Sequence, residues 1–146
     1  MNIEQLREEL KVDEGCKYEI YLDHLHLPTF GIGHLILDSD PEHGQPVGTP
    51  VSEDRVNECF AKDVEIVLSE CSLLYPNFSV LPEEAQLIIA NMMFNMGRPR
   101  LSKFKGMKAA VDAGDYHRAA VEMVDSRWYQ QVTNRADRLV ARMRSI

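Results

Sequence analysis

Glu14 and Asp23 are two carboxylates nine residues apart in a chain of 146. A carboxylate pair is what glycosidic hydrolysis needs. One group, held protonated, gives a proton to the leaving oxygen. The other, ionised, attacks or orients a water. Residue type alone does not single this pair out, because the chain carries 23 acids and chance pairs are plentiful.

Other candidate chemistries have less behind them. Cys16, Cys59 and Cys71 are an odd set with no C-x-x-C pair, which excludes a complete disulfide framework and fits a reduced chain. Cys59 and Cys71 sit at apolar helical positions and read as buried free thiols. Asp23, His24 and His26 are close enough to suggest a metal, yet no histidine pair at helical spacing supports one, so no metal and no cofactor is expected. Gly31 and Gly33 are not followed by G-K-[ST], which argues against nucleotide binding.

Several elements must position the pair. Asn2 can cap a short helix through about residue 10, with Ile3, Leu6 and Leu10 on one face, so that Glu14 follows it. Residues 17–22 alternate and are rich in strand formers, and Asp23 ends that strand. Residues 23–28 read as a turn and 29–35 as one returning strand, whose glycines allow close approach of a backbone or ligand. The carboxylates could then face one cleft across a helix–strand junction.

Beyond a loop at 38–51, Ser52 is a good N-cap for a helix of about twenty residues, ~30 Å long, with Val56, Cys59, Phe60, Val64, Val67, Leu68 and Cys71 at helical spacing. Residues 82–96 are apolar on nearly every face and read as the buried centre of a helical part, closed by Gly97. Further helices are predicted at about 101–113, 115–124, 126–131 and 134–144, the last capped by Thr133. The class is α+β, a small antiparallel sheet, a long helix and then a helical bundle, in two lobes.

Composition bounds the rest. With 45% apolar residues the chain can bury roughly two-thirds of its unfolded surface as one domain. A net charge of −7 argues against a nucleic-acid binder, and no nucleic-acid partner is expected. No apolar run approaches a membrane span, and the acidic first ten residues do not read as a signal peptide, so no stable membrane insertion is expected. The average hides an asymmetry: residues 1–60 carry −9, residues 61–97 carry −4, and residues 98–146 carry +6. Such a split can mark a surface for an anionic partner.

The local string around the carboxylates is far more specific than the pair. Asp13-Glu14-Gly15, Tyr21-Leu22-Asp23 and Pro28-Thr29-Phe30-Gly31-Ile32-Gly33-His34-Leu35 resemble the T-even phage lysozyme family, muramidases of glycoside hydrolase family 24. That family shows an E-G, a Y-x-D nine residues after the Glu, and a T-x-G-I-G-H six after the Asp, and these spacings agree without insertion. Asn91-Met92-Met93-Phe94-Asn95-Met96-Gly97 is a second matching block. Ser126-Arg127-Trp128-Tyr129-Gln130-Gln131, followed by Asn134-Arg135-Ala136, is a third. The loop at 38–51 is shorter than in the best-known member.

The resemblance implies a lysozyme-like two-lobed fold over 1–146. A small β-containing lobe would span 13–57, a connecting helix 53–74, and a helical lobe 1–12 plus 75–146. It implies Glu14 as general acid, Asp23 as second carboxylate, and Thr29 as a hydroxyl that helps place water. Arg135 matches an arginine that pairs with the catalytic Glu, and His34 with Asp63 a structural ion pair. Leu35 and Phe94 match apolar residues along the sugar cleft. Asn95, Met107 and Glu122 match further substrate-binding positions, where the best-known member has Gln, Ser and Asn.

The implied activity is an endolysin-type muramidase on the bond between N-acetylmuramic acid and N-acetylglucosamine of peptidoglycan. The implied enzyme is a monomer, kept in the host cytoplasm until a holin lets it reach the wall. A lytic transglycosylase on the same bond, or a catalytically weak peptidoglycan-binding module, are the alternatives. The presence of both Asp23 and Thr29 argues against the first, and the substitutions at Asn95, Met107 and Glu122 motivate the second.

Overall fold

A computed structural model describes all residues, 1–146. The chain divides into two compact units, one of residues 7–66 and one of residues 1–6 with 67–146. The class is α+β, with a three-stranded antiparallel sheet and eight α-helices.

Helix α1 (Ile3–Glu14) starts where Asn2 Oδ1 accepts the Gln5 N–H at 3.1 Å. Leu6 and Leu10 are fully buried, whereas Ile3 is exposed. The apolar stripe stops at Leu10, but the helix continues to Glu14, four residues beyond the expected end. Backbone hydrogen bonding carries it there, and the Gly15 N–H still donates to Lys11 O at 2.9 Å. Glu14 is therefore the last helical residue and does not follow the helix.

In the unit of residues 7–66, β1 (Lys17–Leu22) pairs with β2 (Pro28–Gly31), and β2 with β3 (His34–Leu35). Tyr21 lies opposite Thr29, Leu22 opposite Pro28, and Phe30 opposite His34. The single returning strand expected over 29–35 is in fact two. Gly31 and Gly33, at φ 64° and 63°, take left-handed backbone and reverse the chain between them. The free edge of β1 is covered by the end of the following loop: Ile20 N–H donates to Thr49 O at 2.9 Å and Val51 N–H to Tyr18 O at 2.9 Å.

Helix α2 (Glu53–Leu74) begins as its sequence dictates, with Ser52 Oγ accepting the Arg55 N–H at 3.1 Å. Val56, Cys59, Phe60, Val64, Val67 and Cys71 are buried along it. Its first part belongs to one unit and, from Val67, its remainder to the other.

The second unit is helical. Helix α3 (Glu83–Met96) buries ten of its fourteen residues, which accounts for a sequence apolar on nearly all faces. Gly97 N–H closes it onto Met93 O at 2.8 Å. The helix expected over 101–113 is instead α4 (Arg98–Leu101) and α5 (Lys105–Asp112). Between them Phe104 N–H donates to Leu101 O at 3.0 Å, a tight turn of three-residue pitch that breaks the helix while keeping its apolar spacing.

Asp115 caps α6 (Tyr116–Val124) and Ser126 caps α7 (Arg127–Gln131) through side-chain oxygens. Thr133 does not cap α8 (Thr133–Arg144) but is its first residue. Its hydroxyl donates back to Tyr129 O at 2.9 Å, at the end of α7. Buried Trp128 donates Nε1–H to Asn95 Oδ1 at 2.8 Å, tying α7 to α3.

Candidate active site

Glu14, Asp23 and Thr29 all belong to the unit of residues 7–66. Glu14 is half-buried at the end of α1. The β2–β3 turn presses against it. A Cβ built on Gly33 would lie 2.9 Å from Glu14 Oε1 and 3.0 Å from its carboxyl carbon. The close approach expected of these glycines is therefore to a side chain, the Glu14 carboxyl.

Asp23 immediately follows β1 and organises the turn to β2. Its Oδ1 accepts the N–H of Leu25 at 2.8 Å and of Leu27 at 2.9 Å. The turn closes with Asp23 N–H on Leu27 O at 3.0 Å and His26 N–H on Asp23 O at 2.9 Å. One carboxylate oxygen is thus committed to backbone, and Oδ2 is left for other work. Thr29 is buried and donates its hydroxyl proton to Leu27 O at 2.9 Å. Leu27 therefore holds both residues, through its N–H to Asp23 and its carbonyl to Thr29.

Tyr21, two residues before Asp23 and opposite Thr29, is the aromatic residue of this strand end. Burial pushes its phenol up, and the negative charges of Glu14 and then Asp23 add to the effect, so it stays a neutral hydroxyl. Lys17 Nζ stands 4.4 Å from its ring centroid.

His34 and Asp63 are brought together as expected, with Nδ1 2.7 Å from Asp63 Oδ2. The other ring nitrogen carries a partner the sequence did not suggest: Nε2 lies 2.8 Å from Asp40 Oδ2. Burial opposes the imidazolium, but the hydrogen bonds to Asp63 and Asp40 outweigh it and hold the His34 pKa above its ordinary value. Asp40 also accepts the Leu37 N–H at 2.8 Å and faces Arg55 at 3.3 Å.

Arg55 grips Glu42 with two parallel bonds, Nε to Oε2 at 2.9 Å and an Nη to Oε1 at 3.0 Å, and reaches Glu58 at 3.1 Å. This holds the Glu42 carboxyl below its usual range. Asp40, Glu42 and Arg55 went unnoticed in the sequence. The only signal was three charges near a Gly- and Pro-rich loop, with no period to pair them.

Cys59 and Cys71 are buried thiols, as expected, and burial pushes them up to about 11 and about 12.

Leu35, in β3 opposite Thr29, is exposed. The remaining candidate positions belong to the other unit. Phe94 and Asn95 are half-buried near the end of α3, with Asn95 held by Trp128. Met107 is 1% exposed within α5, so it reaches a ligand only through its neighbours. Glu122, on α6, is held by Arg118 at 2.7 Å and lies over Gly106, where a Cβ would fall 2.5 Å from its Oε2. Arg135 is buried in α8, with Nε donating to Asn91 Oδ1 at 2.9 Å.

Comparison with known proteins follows the same residues. A family profile described as Phage lysozyme matches residues 11–145. The chain belongs to the phage lysozyme family. That places it among the glycoside hydrolases and agrees with the α+β, lysozyme-like architecture.

Among the relatives of this family member is the "Pre-baseplate central spike protein Gp5" of Enterobacteria phage T4. It is 29% identical over 92% of this chain, which spans 26% of that protein. The "Probable T4-type lysozyme 2" of Dictyostelium discoideum is 28% identical over 95% of this chain and 93% of its own length. The "Peptidoglycan hydrolase gp36" of Pseudomonas phage phiKMV is 26% identical over 94% of this chain and 15% of its own length.

Proposed function

We propose that this glycoside hydrolase is an endolysin-type muramidase. It cuts the β-1,4 bond between N-acetylmuramic acid and N-acetylglucosamine of bacterial peptidoglycan. The observation that carries the reading is the division of labour at Asp23. Oδ1 is saturated by two backbone N–H groups while Oδ2 makes no hydrogen bond, one turn away from a Thr29 hydroxyl whose proton is already given to Leu27 O. The phage lysozyme family and the peptidoglycan hydrolase among the relatives support the substrate class.

Glu14 acts as the general acid and gives its proton to the glycosidic oxygen as the C1–O bond breaks. Asp23 Oδ2 accepts one hydrogen of the attacking water. Thr29 Oγ1, with its own proton engaged, offers lone pairs and accepts the other. The water's oxygen lone pair is then the one group left to meet the anomeric carbon. As the new C–O bond forms, Asp23 takes the water's proton, so both protons are accounted for.

Glu14→Gln tests this directly. Lysis of permeabilised bacteria, read as loss of turbidity, should fall by about 10³-fold with no loss of thermal stability. Full activity in that variant would sink the assignment. Reducing ends on the released sugars are expected from hydrolysis, whereas 1,6-anhydro ends would mean a transglycosylase.

A further inference from the structure

One basic stretch takes no part in this chemistry. No Asp or Glu occurs between Glu84 and Asp112, while Arg98, Arg100, Lys103, Lys105 and Lys108 all fall there. Lys108 is neutralised by Asp112 at 2.6 Å. Arg100 donates at 3.0 Å to Gln131, an amide with no charge to offer. Arg98, Lys103 and Lys105 are exposed and form no ion pair. Four exposed cations without a carboxylate partner thus fall within eight residues of a chain whose net charge is −7.

Clustered like charges repel one another, and a polyanion relieves that repulsion while releasing counterions. The large apolar side chains of the stretch are not available to a lipid surface. Leu101 and Met107 are each 1% exposed, and Phe104 packs edge-on against Trp128 with ring centroids 6.2 Å apart. The cations follow one another along α4, the turn after it and the start of α5, a succession that suits a linear polymer with one charge per repeat. Beside Arg98 lies a cavity of about 300 Å³ lined by Leu73, Leu74, Arg98, Pro99 and Ser102. It has an arginine for an anion and two leucines for the C–H surface of a polyol. Arg pairs phosphate oxygens through a planar fork and keeps its own charge at every pH in which the chain is folded.

We infer that the strip from Arg98 to Lys105 docks a phosphodiester-linked polyol polymer of the cell wall, with one repeat seated in the cavity under Arg98. The inference rests on the wall-hydrolase reading only for the place where the polymer is met.

Binding is measured on the full chain with a soluble glycerol-phosphate polymer, which has no glycosidic bond to cut. Failure of docking is therefore read separately from failure of hydrolysis. The variant Arg98→Gln/Lys103→Gln/Lys105→Gln is compared with a control that removes three exposed cations elsewhere, Lys62→Gln/Arg127→Gln/Arg144→Gln. The strip variant should bind at least tenfold more weakly, with a salt slope shallower by about 2 (from ~0.7 per cation on a flexible polyanion). The control should bind as the wild type does. Equal loss in both variants, unchanged binding by the strip variant, equal affinity for a polycarboxylate of the same charge density, or tighter binding to phosphatidylglycerol vesicles would each overturn the proposal.

Discussion

Gly33 stands against Glu14 so closely that a single added carbon at Gly33 would fall 2.9 Å from Glu14 Oε1. The glycine also sits at φ 63°, where an L side chain is strained. Gly33→Ala should therefore cost about 1–2 kcal/mol of stability and, separately, displace the acid. A misplacement of about 1 Å costs on the order of 10²-fold in rate. Urea melts and turbidity assays at a temperature where the variant is fully folded separate the two effects. Activity close to wild type would mean that Glu14 moves without consequence.

Asp23 joins a structural and a chemical task in one carboxylate, and two substitutions part them. Asn keeps an oxygen for the N–H groups of Leu25 and Leu27, so Asp23→Asn should melt within ~0.5 kcal/mol of wild type while losing most activity. Asp23→Ala orphans both N–H groups and should lose about 1–2 kcal/mol in addition to activity. If Asp23→Asn kept wild-type lysis, the proposed base would be wrong even though the turn survived.

What was legible in the sequence was local. Glu14, Asp23 and Thr29 fall within sixteen residues, and the turn that relates Asp23 to Thr29 is closed by its own backbone, so their spacing already encodes their geometry. The break at residues 102–104 was not legible, because Leu101, Phe104 and Met107 keep a spacing of three through a tight turn that hydropathy cannot tell from a helix. Nor was the network of Asp63, His34, Asp40, Arg55 and Glu42. Its links join residues from 6 to 29 positions apart across a loop without period.

Arg55 anchors that loop by geometry as much as by charge. Its fork meets both oxygens of Glu42 and also reaches Asp40, which a lysine ammonium cannot reproduce. Arg55→Lys should lower stability by about 1–2 kcal/mol. It should also raise amide exchange across residues 37–50 selectively. Uniform exchange over the whole chain, or none, would show that the loop is held by something else, such as the backbone bonds of Thr49 and Val51 to β1.

His34 makes the same network sensitive to pH, and the sign follows from its partners. Both ring nitrogens face carboxylates, Asp63 at 2.7 Å and Asp40 at 2.8 Å, so both must donate and the ring must be charged. Its folded pKa is raised, so its contribution is complete below the unfolded value of about 6.5 and is lost as pH rises through the folded value. Above that point one nitrogen presents a lone pair to a carboxylate. On the acid side Asp40 and Glu42 are held below their ordinary values, so their contribution is present above about pH 4 and fades as pH falls through the folded values. The network is therefore strongest between about pH 5 and 6.5. His34→Gln should cost about 2 kcal/mol in that window. The gap to wild type should narrow steadily toward pH 9, as measured by urea unfolding at each pH. A gap that stayed constant would mean that His34 is not held as an imidazolium between the two carboxylates.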